Sequence, residues 1–152
     1  MAQIIDGKSI SKEIREEIAE EIKTLGITPG LAVIIVGADP ASQVYVRNKH
    51  KACEQVGIYS EVYELPESTT QDELNLLIER LNADTKIDGI LVQLPLPKHL
   101  DENEVILAIN PKKDVDAFHP ENVGHIMLGD YKFLPCTPAG VMQLLSRSNI
   151  DV

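Results

Sequence analysis

The chain has 152 residues, 43% of them apolar, with 14 basic and 24 acidic side chains and a formal net charge of -10. That length and apolar share supply one domain with a full core, and an acidic balance without any long basic run excludes a general nucleic-acid binder, which sets clustered Lys and Arg against phosphate. The longest apolar run, Leu31 to Val36, falls far short of the ~20 residues that span a bilayer, so no segment is expected to cross a membrane.

The opening stretch, Met1 to Gly7, lacks the basic flank and apolar core of a secretory leader. Cys53 and Cys136 have no framework spacing, which predicts free thiols in a reducing cytosol. Between Ile10 and Leu25, the residues Ile10, Ile14, Ile18, Ile22 and Leu25 recur at helical spacing, so this segment reads as an amphipathic helix stopped at Gly26, with its stripe in the core. After Thr28-Pro29-Gly30, the β-branched run Leu31 to Val36 reads as a strand buried on both faces.

Beyond a tight loop at Gly37 to Ala41, Ser42 is expected to cap a helix running to about Val56, with Gly57 as its left-handed stop. Ile58 to Leu65 reads as the second strand. Thr70-Gln71-Asp72-Glu73 is a capping box that opens a third helix through Leu74, Leu77, Ile78 and Leu81. Asp88 to Leu94 reads as the third strand, and Asp101 to Ile109 as a short helix ended by Asn110-Pro111. Irregular structure is expected from there to about Leu134. Thr137-Pro138, a cap followed by a proline in the first helical position, then predicts a last helix over Ala139 to about Arg147.

Strands separated by helices of ten or more residues need right-handed crossovers, which predicts an α/β fold: a three-layer α/β/α sandwich on a mainly parallel sheet of about four strands. Such sheets hold ligands at the carboxyl ends of their strands. Four polar residues fall at or near that edge. Tyr45 and Lys49 lie one turn apart on the helix after the first strand, and Gln93 ends the third strand. Asp116 belongs to a long loop able to close over the same edge.

A partly desolvated lysine exchanges its proton more readily, so Lys49 suits proton transfer, although most helical lysines are merely solvated. The Gln93 amide needs partners for both donor and acceptor; a ligand or Lys49 could supply them, as could backbone where the strand exits. Pro95 and Pro97 make an extended wall with few donors, suited to an aromatic ligand. Asp116 could accept two parallel hydrogen bonds from an amino-pyrimidine edge, whereas capping a turn is the default for Asp114. His119 and His125 lack metal-ligand spacing, so no metal site is expected. No Gly-x-Gly or Gly-Lys-Ser/Thr phosphate loop occurs among the nine glycines.

Four segments, Ser42-x-x-Tyr45-x-x-x-Lys49-x-Lys51-Ala52, Asp88 to Pro97, Lys113-Asp114-Val115-Asp116 and Pro135-Cys136-Thr137-Pro138, together resemble the amino-terminal domain of the bifunctional methylenetetrahydrofolate dehydrogenase/methenyltetrahydrofolate cyclohydrolase family. The resemblance implies reversible oxidation of 5,10-methylenetetrahydrofolate with a nicotinamide cofactor (NADP or NAD), then hydrolysis to 10-formyltetrahydrofolate. It implies that Lys49 transfers protons, Gln93 orients it, Tyr45 borders the folate and Asp116 holds the pterin edge. Ser42, Val92, Leu94, Pro95 and Pro97 would join these four residues in lining the substrate cleft. It further implies a folate-binding unit over 1–147, a linker beginning at 148–152, and a cofactor-binding Rossmann domain that this chain lacks, so neither cofactor binding nor hydride transfer is expected from it alone. The family's homodimer contacts lie mainly in that other domain, so this chain is expected to be a monomer in the cytoplasm. The competing readings are a non-catalytic small-molecule-binding or regulatory α/β domain and a receiver-like module; the latter would need acidic residues where Gly37 and Gln93 stand.

Overall fold

Gly30–Val36 forms the central strand, β1, because its side chains alternate between two apolar layers and neither face meets water. The computed structural model describes residues 4–150. The expectations for Met1, Ala2 and Gln3 and for Asp151 and Val152 at the end of the linker stretch lie outside the described residues. In chain order the elements are α1 (Gly7–Leu25), β1, α2 (Pro40–Val56), β2 (Tyr59–Leu65), α3 (Gln71–Ala83), β3 (Gly89–Val92), α4 (Glu102–Ala108), α5 (Pro120–Leu128) and α6 (Cys136–Arg147).

The strands pair in parallel in the order β2-β1-β3, with Val33 opposite Val62 on one side and Leu91 on the other. Three strands therefore make the sheet among the described residues, not about four; the next extended segment contributes only an isolated parallel bridge between Ile90 and Asp114. One face buries Ala32, Ile34, Val36, Ile90 and Val92 against Leu74, Ile78 and Leu81 of α3 and Val105 of α4. The other face sets Val33, Ile35 and Leu91 against Val46 of α2. The α/β/α layering expected from the crossovers is present.

Several boundaries differ from the sequence reading for local reasons. Asp39, not Ser42, caps α2: its carboxylate accepts the Ser42 N–H at 2.7 Å, and Pro40 occupies the first turn, where its missing N–H costs nothing. Pro135 stands at the start of α6, two residues earlier than Thr137-Pro138 suggested, with no side chain capping it. The stretch expected to be irregular contains α5, entered at His119-Pro120 and stopped by Gly129 in the left-handed conformation.

The stripe of α1 is not core along its length. Ile10 is buried, but Ile18 is 36% and Leu25 59% exposed, because α1 packs on α2 rather than on the sheet and leaves a groove beside α6. Arg147 ties α6 to α1 through paired hydrogen bonds to Glu17 at 2.7 and 2.6 Å. No described helix is long and apolar enough to cross a membrane.

Candidate active site

The chain leaves β1 for β2 on one side and returns past it to β3 on the other, so the carboxyl ends of β1 and β3 flank the point where strand order reverses. That crevice is where open α/β sheets bind ligands. The loop after β1 leads into α2, and Gln93 directly follows β3, its N–H still donating to the Ile34 carbonyl at 2.8 Å. The Lys49 ammonium donates to Gln93 Oε1 at 3.1 Å, while Gln93 Nε2 donates to the Leu94 carbonyl at 2.7 Å. These two bonds fix which way the amide faces, since reversing it would set Nε2 against the ammonium and Oε1 against a carbonyl. Of the three partners open for Gln93, the lysine and the backbone are thus both engaged.

Asp116 lies within electrostatic reach of that lysine. Burial pushes its carboxyl above the usual carboxylate range; the Lys49 charge opposes this and the neighbouring Asp114 reinforces it. The sequence therefore brings an amine, an amide and a carboxylate together from α2, the end of β3 and the 113–119 loop. Tyr45, one turn before Lys49, is 63% exposed and leaves its ring open to a flat ligand at the rim. Val92 is buried in the core, Leu94 and Pro97 are half-buried and Pro95 is exposed; the Leu94–Pro95 peptide is cis.

Ser42 stands differently. It is 5% exposed, and its N–H and hydroxyl both serve Asp39, whose carboxyl they hold below the usual range. Its local role is thus to close the first turn of α2.

The 113–119 loop is built from inside. Ile90 N–H donates to the Lys113 carbonyl at 2.7 Å, and the Lys113 ammonium caps the end of α3 through the Leu81 and Asp84 carbonyls at 3.0 and 2.7 Å. Asp114 caps the following turn, as its default reading anticipated, accepting the His119 N–H at 2.8 Å and Asn122 Nδ2 at 2.9 Å.

Cys136 is the residue that sequence reasoning left as a free thiol and the fold carries to this site. Its Sγ lies 3.8 Å from the Val115 carbonyl; burial, then the Asp116 charge, push the thiol up, against the pull of Lys49. Its position at the start of a helix two segments away gave no local sign of that proximity.

Enclosed space beside Asp116 is small, about 10 Å³ between Val92, Leu94, Val105, Asp114 and Phe118, room for about one water. The enclosed space could not hold a flat ring, which would fit only over the open rim. The larger space, about 790 Å³, is the α1/α6 groove lined mainly by Ile10, Ile14, Ile18, Val141 and Leu144, and it contains none of the four polar residues. Chemistry, not volume, locates the site.

The sequence model described as "Tetrahydrofolate dehydrogenase/cyclohydrolase, catalytic domain" matches residues 5–116, which include Tyr45, Lys49, Gln93 and Asp116. The chain is 62% identical over 153 aligned residues to the "Bifunctional protein FolD" of Moorella thermoacetica, covering 99% of this chain and 55% of that protein. Among solved structures, the FolD methylenetetrahydrofolate dehydrogenase/cyclohydrolase of Campylobacter jejuni superposes with a TM-score of 0.92 at 52% identity, over 98% of this chain and 54% of that one. The Trypanosoma brucei enzyme, solved with NADP cofactor and inhibitor, gives a TM-score of 0.94 at 39% identity, over 99% and 53% respectively. The chain thus spans about half the length of the relatives it matches. The regulatory-domain and receiver-like readings have no such support. On the matched sequence and the shared fold, the chain belongs to the tetrahydrofolate dehydrogenase/cyclohydrolase family and carries its catalytic domain.

Proposed function

We propose that residues 1–147 form the folate-binding catalytic unit of an enzyme that oxidises 5,10-methylenetetrahydrofolate to the methenyl form and hydrolyses that to 10-formyltetrahydrofolate. The observation that carries this reading is the Lys49–Gln93 hydrogen bond at 3.1 Å, at the sheet's switch point and in the field of Asp116. The methenyl carbon is amidinium-like and electrophilic. Water adds to it, and Lys49 in its amine form accepts the proton that water gives up. The adduct's hydroxyl then gives up its proton as the bond from that carbon to N5 breaks, N5 takes the bond's electron pair and a proton, and the one-carbon group remains on N10 as formyl.

Gln93 holds the Lys49 nitrogen toward the cleft, so less of the barrier goes to orienting it. Asp116 accepts hydrogen bonds from the amino-pyrimidine edge of the pterin, and the exposed Tyr45 ring stacks against the folate. The wall formed by Val92, Leu94, Pro95 and Pro97 borders the ring, and Ser42 supports the start of α2 beneath it.

The helix starts that follow the three strands do not fit a dinucleotide. The first turns of α2, α3 and α4 are already held by Asp39, by Thr70 with Glu73, and by Asp101. A pyrophosphate would meet carboxylates there, where a glycine-rich turn offers free N–H groups. We therefore place NADP binding outside residues 1–147, in keeping with relatives about twice this chain's length, and derive no hydride step here. Cytoplasmic residence agrees with the two free thiols, Cys53 and Cys136.

The test follows the absorbance of 5,10-methenyltetrahydrofolate as it is hydrolysed by the intact protein and by Lys49→Met. Loss of a positioned proton acceptor should slow turnover by about 100-fold or more. Unimpaired hydrolysis in Lys49→Met would overturn the assignment.

A further inference from the structure

Three locally costly features crowd around Asp116. Asp114, two residues before it, is only 3% exposed, and no cation pairs with its carboxylate among the described contacts. Ala117, immediately after it, adopts φ 55, the left-handed conformation that suits glycine, and is 1% exposed. Asn122 is also buried, and its side chain is spent on this loop, donating to Asp114 at 2.9 Å and to the Pro111 carbonyl at 2.9 Å. Buried charge without a counter-ion and left-handed alanine persist only where the surroundings over-determine them, and such departures gather at working sites.

The geometry supplies a reason. Both donors, the His119 N–H at 2.8 Å and Asn122 Nδ2, converge on the same Asp114 oxygen, Oδ2. That oxygen joins the start of α5 to the segment after α4 that bridges β3 at Ile90. Asn122 closes the ring by reaching back to Pro111, so residues 111 to 122 form one clasp, and Asp116 sits at its inner turn. The Ala117 N–H, donating to the Asp114 carbonyl at 3.3 Å, tightens that turn.

We propose that Asp114 and Asn122 are positioning residues, a clasp that sets where the Asp116 carboxylate stands and so determines its fit to the two-donor edge of an amino-pyrimidine ring. The ligand class rests on the folate reading above; the clasp itself does not. Three ionisable groups face Asp116 and must be counted in any titration: Lys49 from α2, Asp114 from its own loop and Cys136 from α6. Lys49 favours the ionised form of Asp116, while Asp114 disfavours it.

The shared oxygen makes the idea separable by mutation. Asp114→Asn can put its amide oxygen where Oδ2 stands, keep both hydrogen bonds and remove only the charge. Asp114→Ala removes both. Three measurements on the 152-residue chain decide the matter: hydrogen exchange at the His119 amide, carbon-13 NMR titration of the Asp116 carboxyl, and calorimetry with 5,10-methenyltetrahydrofolate. For Asp114→Ala, His119 should exchange about ten-fold faster or more, and folate affinity should fall by a similar factor. For Asp114→Asn, exchange and neutral-pH affinity should stay near wild type, while the Asp116 midpoint falls and binding persists to lower pH.

Asn122→Ala cuts the clasp from its other end and stands in should Asp114→Ala not fold. It should lose affinity and His119 protection while the charge of Asp114 still raises Asp116. Unchanged His119 protection in both alanine variants, or an Asp114→Asn protein as weakened at neutral pH as Asp114→Ala, overturns the clasp. Failure of the wild-type chain to bind the folate would instead sink the ligand assignment, because exchange and titration need no ligand and judge the clasp separately.

Discussion

Gly89→Ala should disturb the core and the candidate site together. A Cβ built on Gly89 would lie 2.5 Å from Val115 Cγ1 and 3.3 Å from Leu31 Cδ1. Carbon atoms rest about 3.5–4.0 Å apart, so Val115 has to retreat by about 1 Å or more. It has little freedom to do so by rotation, because a β-branched side chain has few χ1 states. The Ile90 N–H bond to Lys113 at 2.7 Å pins the segment just before it, which directs the displacement forward, toward Asp116.

Overpacking of this kind costs roughly 1–3 kcal/mol. For a domain of this size, about 2 kcal/mol lowers Tm by about 4–8 °C. Gly124→Ala is the control: nothing lies within 4 Å of its built Cβ, and it sits inside α5. Exchanging that helical glycine for alanine should gain about 0.5–1 kcal/mol. The assay pairs thermal unfolding by circular dichroism with folate calorimetry. A Gly89→Ala protein melting within a degree of wild type, or melting lower with unchanged folate affinity, would refute the coupling between β3 and the Asp116 loop.

Two further predictions use titration. The Asp116 carboxyl is raised in the folded chain, so the ionised form that binds a two-donor edge is lost as pH falls through that raised value. Folate affinity should drop there, while the contribution of Asp116 to folding stability should rise over the same interval, since the folded state holds the proton more tightly than the unfolded one; calorimetry, and urea melts of wild type set against Asp116→Asn, should show the opposite trends. Thr70→Ala removes the side-chain half of the capping box of α3, in which the Thr70 hydroxyl accepts the Glu73 N–H at 3.3 Å and donates to Glu73 Oε2 at 2.9 Å, and should cost about 1 kcal/mol at neutral pH. The Thr70 N–H, which the variant keeps, and then the Thr70 hydroxyl lower the Glu73 carboxyl, so the hydroxyl's share of the stabilisation is present above the unfolded value and is lost as pH falls through the folded one. Urea melts should therefore show the wild-type and Thr70→Ala curves converging in acid.

Much of this protein was legible before any coordinates. Apolar runs of strand length separated by capped helices specify parallel α/β layering, because local hydrogen-bond chemistry and side-chain periodicity act within a few residues. Gly26 and Gly57 end their helices in the left-handed conformation, as the sequence indicated. The Thr70 box opens α3 and Asp101 caps α4. Tyr45 and Lys49 could be placed on one helix face by spacing alone, and Gln93 at a strand end by the apolar run before it. The His119-Pro120 start and Gly129 stop of α5 were also present as signals, within a stretch too short in apolar period to stand out.

What only the tertiary structure decided is which distant groups meet. Sheet order β2-β1-β3 brings the ends of β1 and β3 side by side, and with them Lys49 and Gln93, 44 residues apart in the chain. It also delivers Cys136 to Asp116 and gathers two donors onto one oxygen of Asp114. The same packing left much of the α1 stripe uncovered, although its periodicity is that of a core helix. Periodicity records that a face is apolar; what covers that face, and which charges share a dielectric environment, depends on where the other elements come to rest.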